Sequence, residues 1–466
     1  MLVLATVTRI SLAALAASLA VACAPCAPPS PPPSPPPVQV APVQVAPAQA
    51  APSGPVALVQ PVAEDSADYV FSDPNRRAKL ASAFPAIDAL GQDAIQSHGV
   101  PGVSIGVVVD GQLAYANGFG FTDDQTMTRP GVDTQYRIAS LTKAFTALSV
   151  LALRDDGVLS LDEPLARLLP EAAGLVYPTP CAPITLRQIL SHTSGLPRDG
   201  SYPHRNNNPS EQEILGSLPG VALESPPGTG YAYSNLGYQL LGLAVGRAAR
   251  VPLRTFVQNR IFLPLGMTST TFDGRPPPAG RLATGYAHGN DGMVRRVPGR
   301  HLGAAEGSGG IVSTVRDLAR WVAFQLDAYP SRSAPEAGPV RRSTVRETHA
   351  SAPGTDRRLL RHVAMNDDAN GEELVEARAS SYGFAWVVRQ TRDFDLEVLH
   401  NGDTPGFTSA ITLLPHSGVG VIVLENMRGG HGAGAIAADV VRALQRTGGL
   451  APRVPRMQPP PPSSGR

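Results

Sequence analysis

Strand patterns lie at the two ends of the globular part of this chain, and helical patterns fill the region between them. Residues 103–109 and 112–118 are two apolar runs joined by Asp110-Gly111, a dipeptide typical of tight hairpins. Further strands are predicted at 382–388, 396–400, 409–414 and 419–425. This distribution predicts one sheet built from distant parts of the chain, with a mostly helical region inserted.

Helices are predicted wherever apolar residues recur at three- and four-residue spacing. The predicted helices cover 86–97, about 140–156, 186–190, 236–249, 317–326 and 433–445. Residues 330–379 are polar and poorly periodic, which predicts a variable surface segment with one short helix. The globular domain is therefore expected to span residues 66–449.

The N-terminal segment has the pattern of an export signal. Arg9 precedes an apolar run at 10–21, and Ala20-Val21-Ala22 fits the small-x-small rule for cleavage. The run 19–23 also resembles a lipoprotein box, which makes Cys23 a lipidation candidate and a membrane tether; plain secretion is the alternative. We therefore predict a signal peptide at 1–22 and a protein exported to the periplasm or cell envelope.

Proline-rich segments flank the predicted domain. Residues 23–65 contain a Pro/Ala/Val/Gln tract in which the pentapeptide at 38–42 recurs at 43–47. Such a tract builds no core and favours extended conformations, so it predicts a spacer. Residues 450–466 are predicted to be an unstructured tail.

Charge and cysteine content exclude several classes of protein. The formal net charge of +1 on 466 residues gives no field for binding nucleic acid. The chain has only three cysteines, and no C-x-x-C pair lies in the globular region. We therefore predict neither a metal site nor a disulfide framework, and the chemistry below needs no cofactor.

The strongest candidate for chemistry is the pair Ser140 and Lys143 at the start of a predicted helix. Residues three apart on a helix are neighbours, so the lysine can reach the serine hydroxyl. A desolvated lysine can take the proton of a serine hydroxyl and so activate the oxygen as a nucleophile. The alternative is that Ser140 only caps the helix while Lys143 is a solvated first-turn residue.

Two further groups could complete a site. Tyr233 and Asn235 point the same way in an extended turn, where a phenol can move protons and an amide can bind a carbonyl. The alternative is that Asn235 caps the helix from 236 and Tyr233 packs its ring. Residues 400–403 lie at the end of a predicted strand and could bind substrate, whereas Asn401-Gly402 could equally form a plain turn.

Together these patterns, Ser140-x-x-Lys143, Tyr233-Ser234-Asn235 and His400-Asn401-Gly402, resemble the three motifs of the serine β-lactamase and penicillin-binding-protein superfamily. They are most similar to its class C-like branch, which includes D,D-carboxypeptidases, D-aminopeptidases and esterases. Connecting stretches also match, at 190–197, 227–229, 309–310, 313–314 and 317–319. The resemblance implies a β-lactamase/transpeptidase-like α/β (α+β) fold with an antiparallel sheet flanked by helices.

The resemblance also implies roles for the matched residues. Ser140 would attack a substrate carbonyl, and Lys143 and Tyr233 would share the proton transfers. The backbone N–H groups of Ser140 and Asp403 would form the oxyanion hole. Substrate binding is expected from Asn235, His400, Asn401, Gly402 and Asp403. The expected partner is a small-molecule or peptide substrate, and the oligomeric state stays open.

One departure from the motif set bears on the substrate. Class C β-lactamases resemble Lys-Thr-Gly at the third motif, where this chain has His400-Asn401-Gly402. Histidine has an ordinary pKa of about 6.5, so His400 should be largely neutral at pH 7 unless Asp403 raises its pKa. We therefore expect weak β-lactam turnover, better activity on esters or D-amino-acid peptides, and activity on carboxylate-bearing substrates that improves below pH 7.

Two alternative functions, an open choice of substrate and one further residue complete the sequence-based prediction. The chain could be a class C-type β-lactamase, or a non-catalytic cell-envelope binding protein that keeps the fold. Among the hydrolases, a β-lactam, a D-amino-acid peptide and an ester all stay open as substrates. His192, in the matched loop at 190–197, is expected to bond backbone around a turn rather than to act as a base.

Overall fold

The computed structural model describes residues 69–179, 181–198, 208–273, 281–299, 301–355, 379–430 and 432–455. The predicted signal peptide, Cys23 and the proline-rich tether lie outside the described residues. The structure adds one element to the predicted tail, because β15 (Val454–Pro455) pairs antiparallel with β1 (Tyr69–Val70). The prediction of an unstructured tail is therefore wrong for Val454 and Pro455, and residues 456–466 lie outside the described residues.

A seven-stranded antiparallel sheet joins the two ends of the domain. Its order is β3-β2-β13-β12-β11-β10-β9, so β2 from the N-terminal part pairs directly with β13 from the C-terminal part. The strands are β2 (Gly102–Val109), β3 (Gln112–Gly120), β9 (Ala379–Tyr382), β10 (Val387–Gln390), β11 (Glu397–Thr404), β12 (Phe407–Leu414) and β13 (Val419–Glu425). The prediction of one sheet from distant segments is confirmed.

Two smaller, three-stranded sheets each have a strand that contacts β12 of the large sheet. The first has the order β4-β8-β5, with β4 (Tyr136–Arg137), β8 (Ile311–Ser313) and β5 (Thr271–Phe272). The second has the order β14-β6-β7, with β14 (Met427–Arg428), β6 (Tyr286–His288) and β7 (Val294–Arg296). β4 matters for the site because it leads directly into the segment that carries Ser140.

The described residues form the helices α1 (Arg76–Ala81), α2 (Phe84–Gln96), α3 (Thr142–Asp155), α4 (Leu186–Leu190), α5 (Glu211–Gly216), α6 (Asn235–Ala249), α7 (Leu253–Val257), α8 (Val315–Asp327), α9 (Arg342–Thr348) and α10 (Ala433–Arg446). Of these, α2 and α10 pack on one face of the large sheet and α8 packs on the other. Because side chains alternate along a strand, Val107 and Val109 pack into the core under α2 and α10, whereas Val108 packs into the core of α3, α6 and α8. The predicted fold class is confirmed.

Two predicted strands differ from the observed ones. The run 382–388 forms two strands, because the chain turns at residues 383–386, where Ala385 has a φ of 64° and Gly383 N–H donates to Trp386 O. The strand predicted to end at His400 continues as β11 to Thr404. The turn follows at Pro405-Gly406, where Gly406 has a φ of 84°. The alternative that Asn401-Gly402 forms a plain turn is therefore wrong.

Candidate active site

Ser140 lies in a single 3-10 turn, Ala139–Leu141, between β4 and α3. Ala139 has a φ of 47°, a left-handed conformation that costs a non-glycine residue about 1 kcal/mol or more. α3 begins only at Thr142, and its N-cap residue is Leu141, without a side-chain hydrogen bond. The alternative that Ser140 merely caps the helix is therefore wrong, and its hydroxyl is turned towards Lys143.

Lys143 is fully buried, which contradicts the alternative of a solvated surface lysine. Its Nζ lies 3.0 Å from Ser140 Oγ, 2.5 Å from Asn235 Oδ1 and 2.7 Å from the carbonyl oxygen of Ser308. The amide and carbonyl oxygens can only accept hydrogen bonds. An uncharged amine can therefore donate both its protons to them and turn its lone pair to the Ser140 hydroxyl.

Aromatic rings enclose the Lys143 amine. Nζ lies 4.9 Å from the ring centroid of Tyr233 and 5.7 Å from that of Tyr238. The imidazole of His192 lies 4.3 Å from the Tyr233 ring, centroid to centroid. Ring faces stabilise a cation and exclude water, so this enclosure tolerates the charged form of the lysine after it has taken a proton.

The Tyr233–Asn235 segment is held by its own capping interactions. Ser234, rather than Asn235, is the N-cap of α6, and its Oγ accepts a hydrogen bond from Gly237 N–H at 3.3 Å. The alternative that Asn235 caps the helix is therefore wrong. Asn235 is the first residue of α6, and its amide oxygen accepts a hydrogen bond from Lys143.

His192 holds the segment that carries Tyr233 through two backbone hydrogen bonds. Its Nδ1 accepts a hydrogen bond from Ser234 N–H at 3.1 Å, and its carbonyl oxygen accepts one from Ala232 N–H. Burial, and then the nearby Lys143, lower the pKa of His192 well below its ordinary value, so the ring is neutral. This geometry fits the structural role predicted for His192.

β11 lies directly beside the turn that carries Ser140. A β-carbon added to Gly402 would be 3.1 Å from Ser140 N and only 2.3 Å from Ile138 O. Ser409 on the adjacent strand donates a hydrogen bond to the same Ile138 carbonyl at 2.8 Å. Only glycine allows the strand to approach this closely, which explains the glycine of the third motif.

His400 is buried, and both of its ring nitrogens have partners. Nδ1 lies 2.6 Å from the carbonyl oxygen of Asn401, and Nε2 lies 3.1 Å from Tyr382 Oη. A carbonyl can only accept, so Nδ1 carries the proton and Nε2 accepts from the phenol. Burial, and then the proximity of Lys143, lower the pKa of His400 to about 3. This contradicts the premise that His400 gains charge just below pH 7, on which the expected improvement of carboxylate-substrate activity depended.

Asn401 and Asp403 have side-chain neighbours of their own. A β-carbon on Gly434, in the first turn of α10, would lie 2.5 Å from Asn401 Nδ2. The Asp403 carboxylate accepts a hydrogen bond from Arg428 Nε at 2.8 Å, and it does not raise the pKa of His400. Around Ser140, the structure brings together the side chains of Lys143, Tyr233, Asn235 and His400 and the backbone of Gly402.

Two contributors were absent from the sequence-based prediction. The Ser308 carbonyl was missed because a backbone oxygen leaves no trace in residue type. Tyr382 was missed because it lay in a run that was predicted to be one continuous strand. Among the described residues, no three His, Cys, Asp or Glu side chains are grouped to hold a metal ion. Within the same ranges, no helix is both long and apolar enough to cross a bilayer.

A buried lysine hydrogen-bonded to the serine of a Ser-x-x-Lys pair, beside a glycine-bearing strand of an antiparallel sheet, defines a serine hydrolase of the Ser-x-x-Lys type. The family model described as Beta-lactamase matches residues 81–446, which is most of the chain. The chain therefore belongs to the beta-lactamase family.

Known proteins agree with this assignment. Protein flp of Staphylococcus aureus strain MRSA252 is 28% identical over 345 residues, 73% of this chain and 62% of the relative. The chain thus spans about three fifths of the length of that relative. D-alanyl-D-alanine-carboxypeptidase/endopeptidase AmpH of Escherichia coli strain K12 is 29% identical over 350 residues, 73% of this chain and 83% of the relative.

A solved structure extends the comparison to the fold. The beta-lactamase/D-alanine carboxypeptidase from Yersinia pestis, complexed with citrate, is 28% identical and superposes with a TM-score of 0.62. The match covers 80% of this chain and 99% of the other. The chain is accordingly a beta-lactamase-family serine hydrolase related to carboxypeptidases.

Proposed function

We propose that this protein is an exported serine hydrolase that cleaves an ester or a D-amino-acid peptide bond through an acyl-enzyme on Ser140. The observation that carries the proposal is the position of Lys143, whose buried Nζ lies 3.0 Å from Ser140 Oγ. The lysine amine takes the hydroxyl proton as Oγ bonds to the substrate carbonyl carbon. The leaving group departs with a proton, and water then releases the acyl group.

The proton reaches the leaving group through Lys143 and Tyr233. The lysine amine lies 4.9 Å from the centroid of the Tyr233 ring, so both groups border the same small volume. The N–H groups of Ser140 and Asp403 are proposed to bind the developing oxyanion. The close approach of Gly402 to Ser140 N supports this pairing of donors.

The substrate class follows from the neutral third motif. A buried, uncharged His400 supplies no positive charge for the carboxylate of a penicillin or cephalosporin. We therefore rank esters and D-amino-acid peptides ahead of β-lactams. The names of the relatives from Escherichia coli and Yersinia pestis favour a D-alanyl peptide among these substrates.

The decisive experiment is intact-mass analysis after incubation with a fluorophosphonate, a penicillin and a short-chain aryl ester. We expect a fluorophosphonate adduct and ester turnover, with little β-lactam turnover. The Ser140→Ala variant should give no adduct while keeping the melting temperature. Nitrocefin turnover far above ester turnover would favour the class C β-lactamase alternative. A wild-type protein without any adduct would favour the non-catalytic binding protein.

Export rests on residues 1–23 alone and is tested separately. The mature protein purified from its native host should begin at residue 23, with or without lipid on Cys23. An N-terminus that still contains Met1 would contradict export, and mass spectrometry of the first peptide distinguishes lipid anchoring from plain secretion.

A further inference from the structure

Tyr382 is a buried residue that contacts His400 of the third motif and has no role in the proposed mechanism. It lies at the end of β9, is 1% exposed, and its Oη is 3.1 Å from His400 Nε2. Burial, before any charge, raises the pKa of Tyr382 well above its ordinary value, so the hydroxyl keeps its proton. Its hydroxyl is therefore a permanent donor to the imidazole.

The hydrogen bond from the Tyr382 hydroxyl determines which ring nitrogen of His400 donates to the backbone. With Nε2 occupied as an acceptor, the ring proton is on Nδ1, and it bonds the Asn401 carbonyl at 2.6 Å. That carbonyl belongs to the peptide unit joining Asn401 to Gly402. The next peptide unit carries the N–H of Asp403, which is the proposed oxyanion donor.

We propose that Tyr382 is a positioning residue that acts through His400 to hold the Asn401–Asp403 backbone of β11 in the geometry required for the oxyanion hole. The inference rests on the proposed function, because it assumes that Asp403 N–H meets the oxyanion. In this arrangement the third motif acts through its backbone, and the imidazole of His400 holds that backbone in place rather than binding the substrate itself.

Tyr231 supplies a matched control in the same aromatic cluster. It is 3% exposed and its ring centroid lies 5.3 Å from that of Tyr382. Its hydroxyl has no hydrogen-bond partner among the described residues. Tyr231→Phe and Tyr382→Phe therefore remove the same atom from neighbouring rings, and only the second breaks a hydrogen bond.

The experiment compares both variants on an aryl ester, alone and combined with His400→Asn. Losing one positioning hydrogen bond should lower the kcat of Tyr382→Phe by about 3- to 10-fold. KM should stay within about twofold, because oxyanion contacts strengthen in the transition state. Tyr231→Phe should keep wild-type kcat. In the His400→Asn background, Tyr382→Phe should have no further effect, because its target is absent.

Histidine NMR supplies a readout that is independent of turnover. The wild-type protein should give a His400 signal of the Nδ1–H tautomer, assigned by its loss in His400→Asn, and Tyr382→Phe should change that signal. Equal kcat values for the two phenylalanine variants would overturn the proposal. The proposal would also be overturned if Tyr382→Phe lowered kcat as much in the His400→Asn background as in the wild type. Absence of a fluorophosphonate adduct on the wild type would instead remove the proposed function itself.

Discussion

Replacing Gly402 by alanine is the sharpest test of how close β11 lies to the nucleophile. The added β-carbon would be 2.3 Å from Ile138 O, 2.4 Å from Ser409 Oγ and 3.1 Å from Ser140 N. β-Carbons in proteins essentially never approach other heavy atoms closer than 3.0 Å. The Ile138 oxygen is a backbone atom, so the strand and the serine turn must separate by about 0.7 Å to accept the methyl group.

This separation predicts a specific size of defect. A misplacement of about 1 Å in a catalytic site costs roughly 100-fold in rate, so kcat/KM of Gly402→Ala should fall by about two orders of magnitude. The loss should lie in kcat, because the oxyanion is bound most tightly in the transition state. Overpacking should also lower the free energy of unfolding by about 1–3 kcal/mol.

The assay is steady-state hydrolysis of an aryl acetate, with urea unfolding measured on the same preparations. Gly216→Ala is the matched control: Gly216 ends α5, and a β-carbon there meets no atom within 4 Å. That variant should keep wild-type activity and stability. If Gly402→Ala is folded and retains at least half of the wild-type kcat/KM, the close approach of β11 to Ser140 is refuted.

Three further predictions follow from buried groups. Lys143→Met should slow fluorophosphonate labelling about 10²- to 10⁴-fold, as expected for a lost general base, and labelling within tenfold of wild type would exclude that role. His349 and His400 have pKa values near 3 in the folded state. Each buried neutral ring therefore leaves the free energy of unfolding at its maximum above about pH 6.5. As the pH falls below that value, each ring lowers the free energy of unfolding, by about 2 kcal/mol at pH 5. Urea unfolding should show that the free energy of unfolding falls less between pH 8 and pH 5 in His349→Gln than in the wild type. An equal fall in both proteins would contradict a neutral, buried His349 ring. The ratio of nitrocefin to aryl acetate turnover should stay constant from about pH 5.5 to 8.5, and a rise of that ratio below pH 7 would mean that His400 ionises there.

Local sequence patterns were sufficient to predict the features of this protein that depend on residues close together in the chain. The Asp110-Gly111 turn was predicted because a tight hairpin turn requires positive φ at both central residues, and Asp and Gly tolerate that conformation. The two residues adopt φ values of 51° and 77°. The spacing of Ser140 and Lys143 likewise put them on adjacent positions of one helical segment. In each case the deciding interaction acts within a few residues, so the sequence alone carries it.

Two strand boundaries were predicted wrongly because local propensity did not decide them. Asn401-Gly402 is a favoured turn dipeptide, yet it lies inside β11, where it pairs with Ala410 and Ser409 of β12. The turn residues of the 382–388 run were hidden among aromatic and apolar neighbours. Cross-strand pairing and burial outweigh a turn preference of this kind, and neither is visible in a short window of sequence.

Sequence by itself determined which residue types carry the chemistry, their order along the chain and the family to which they belong. Only the tertiary structure decided that Lys143 is buried against Asn235 and the Ser308 carbonyl, and that His400 is neutral because burial and Lys143 oppose its charge. The physical reason is that desolvation and hydrogen bonding depend on atoms brought together from residues far apart in the chain. Lys143 and Ser308 are 165 residues apart, and no local pattern specifies that contact.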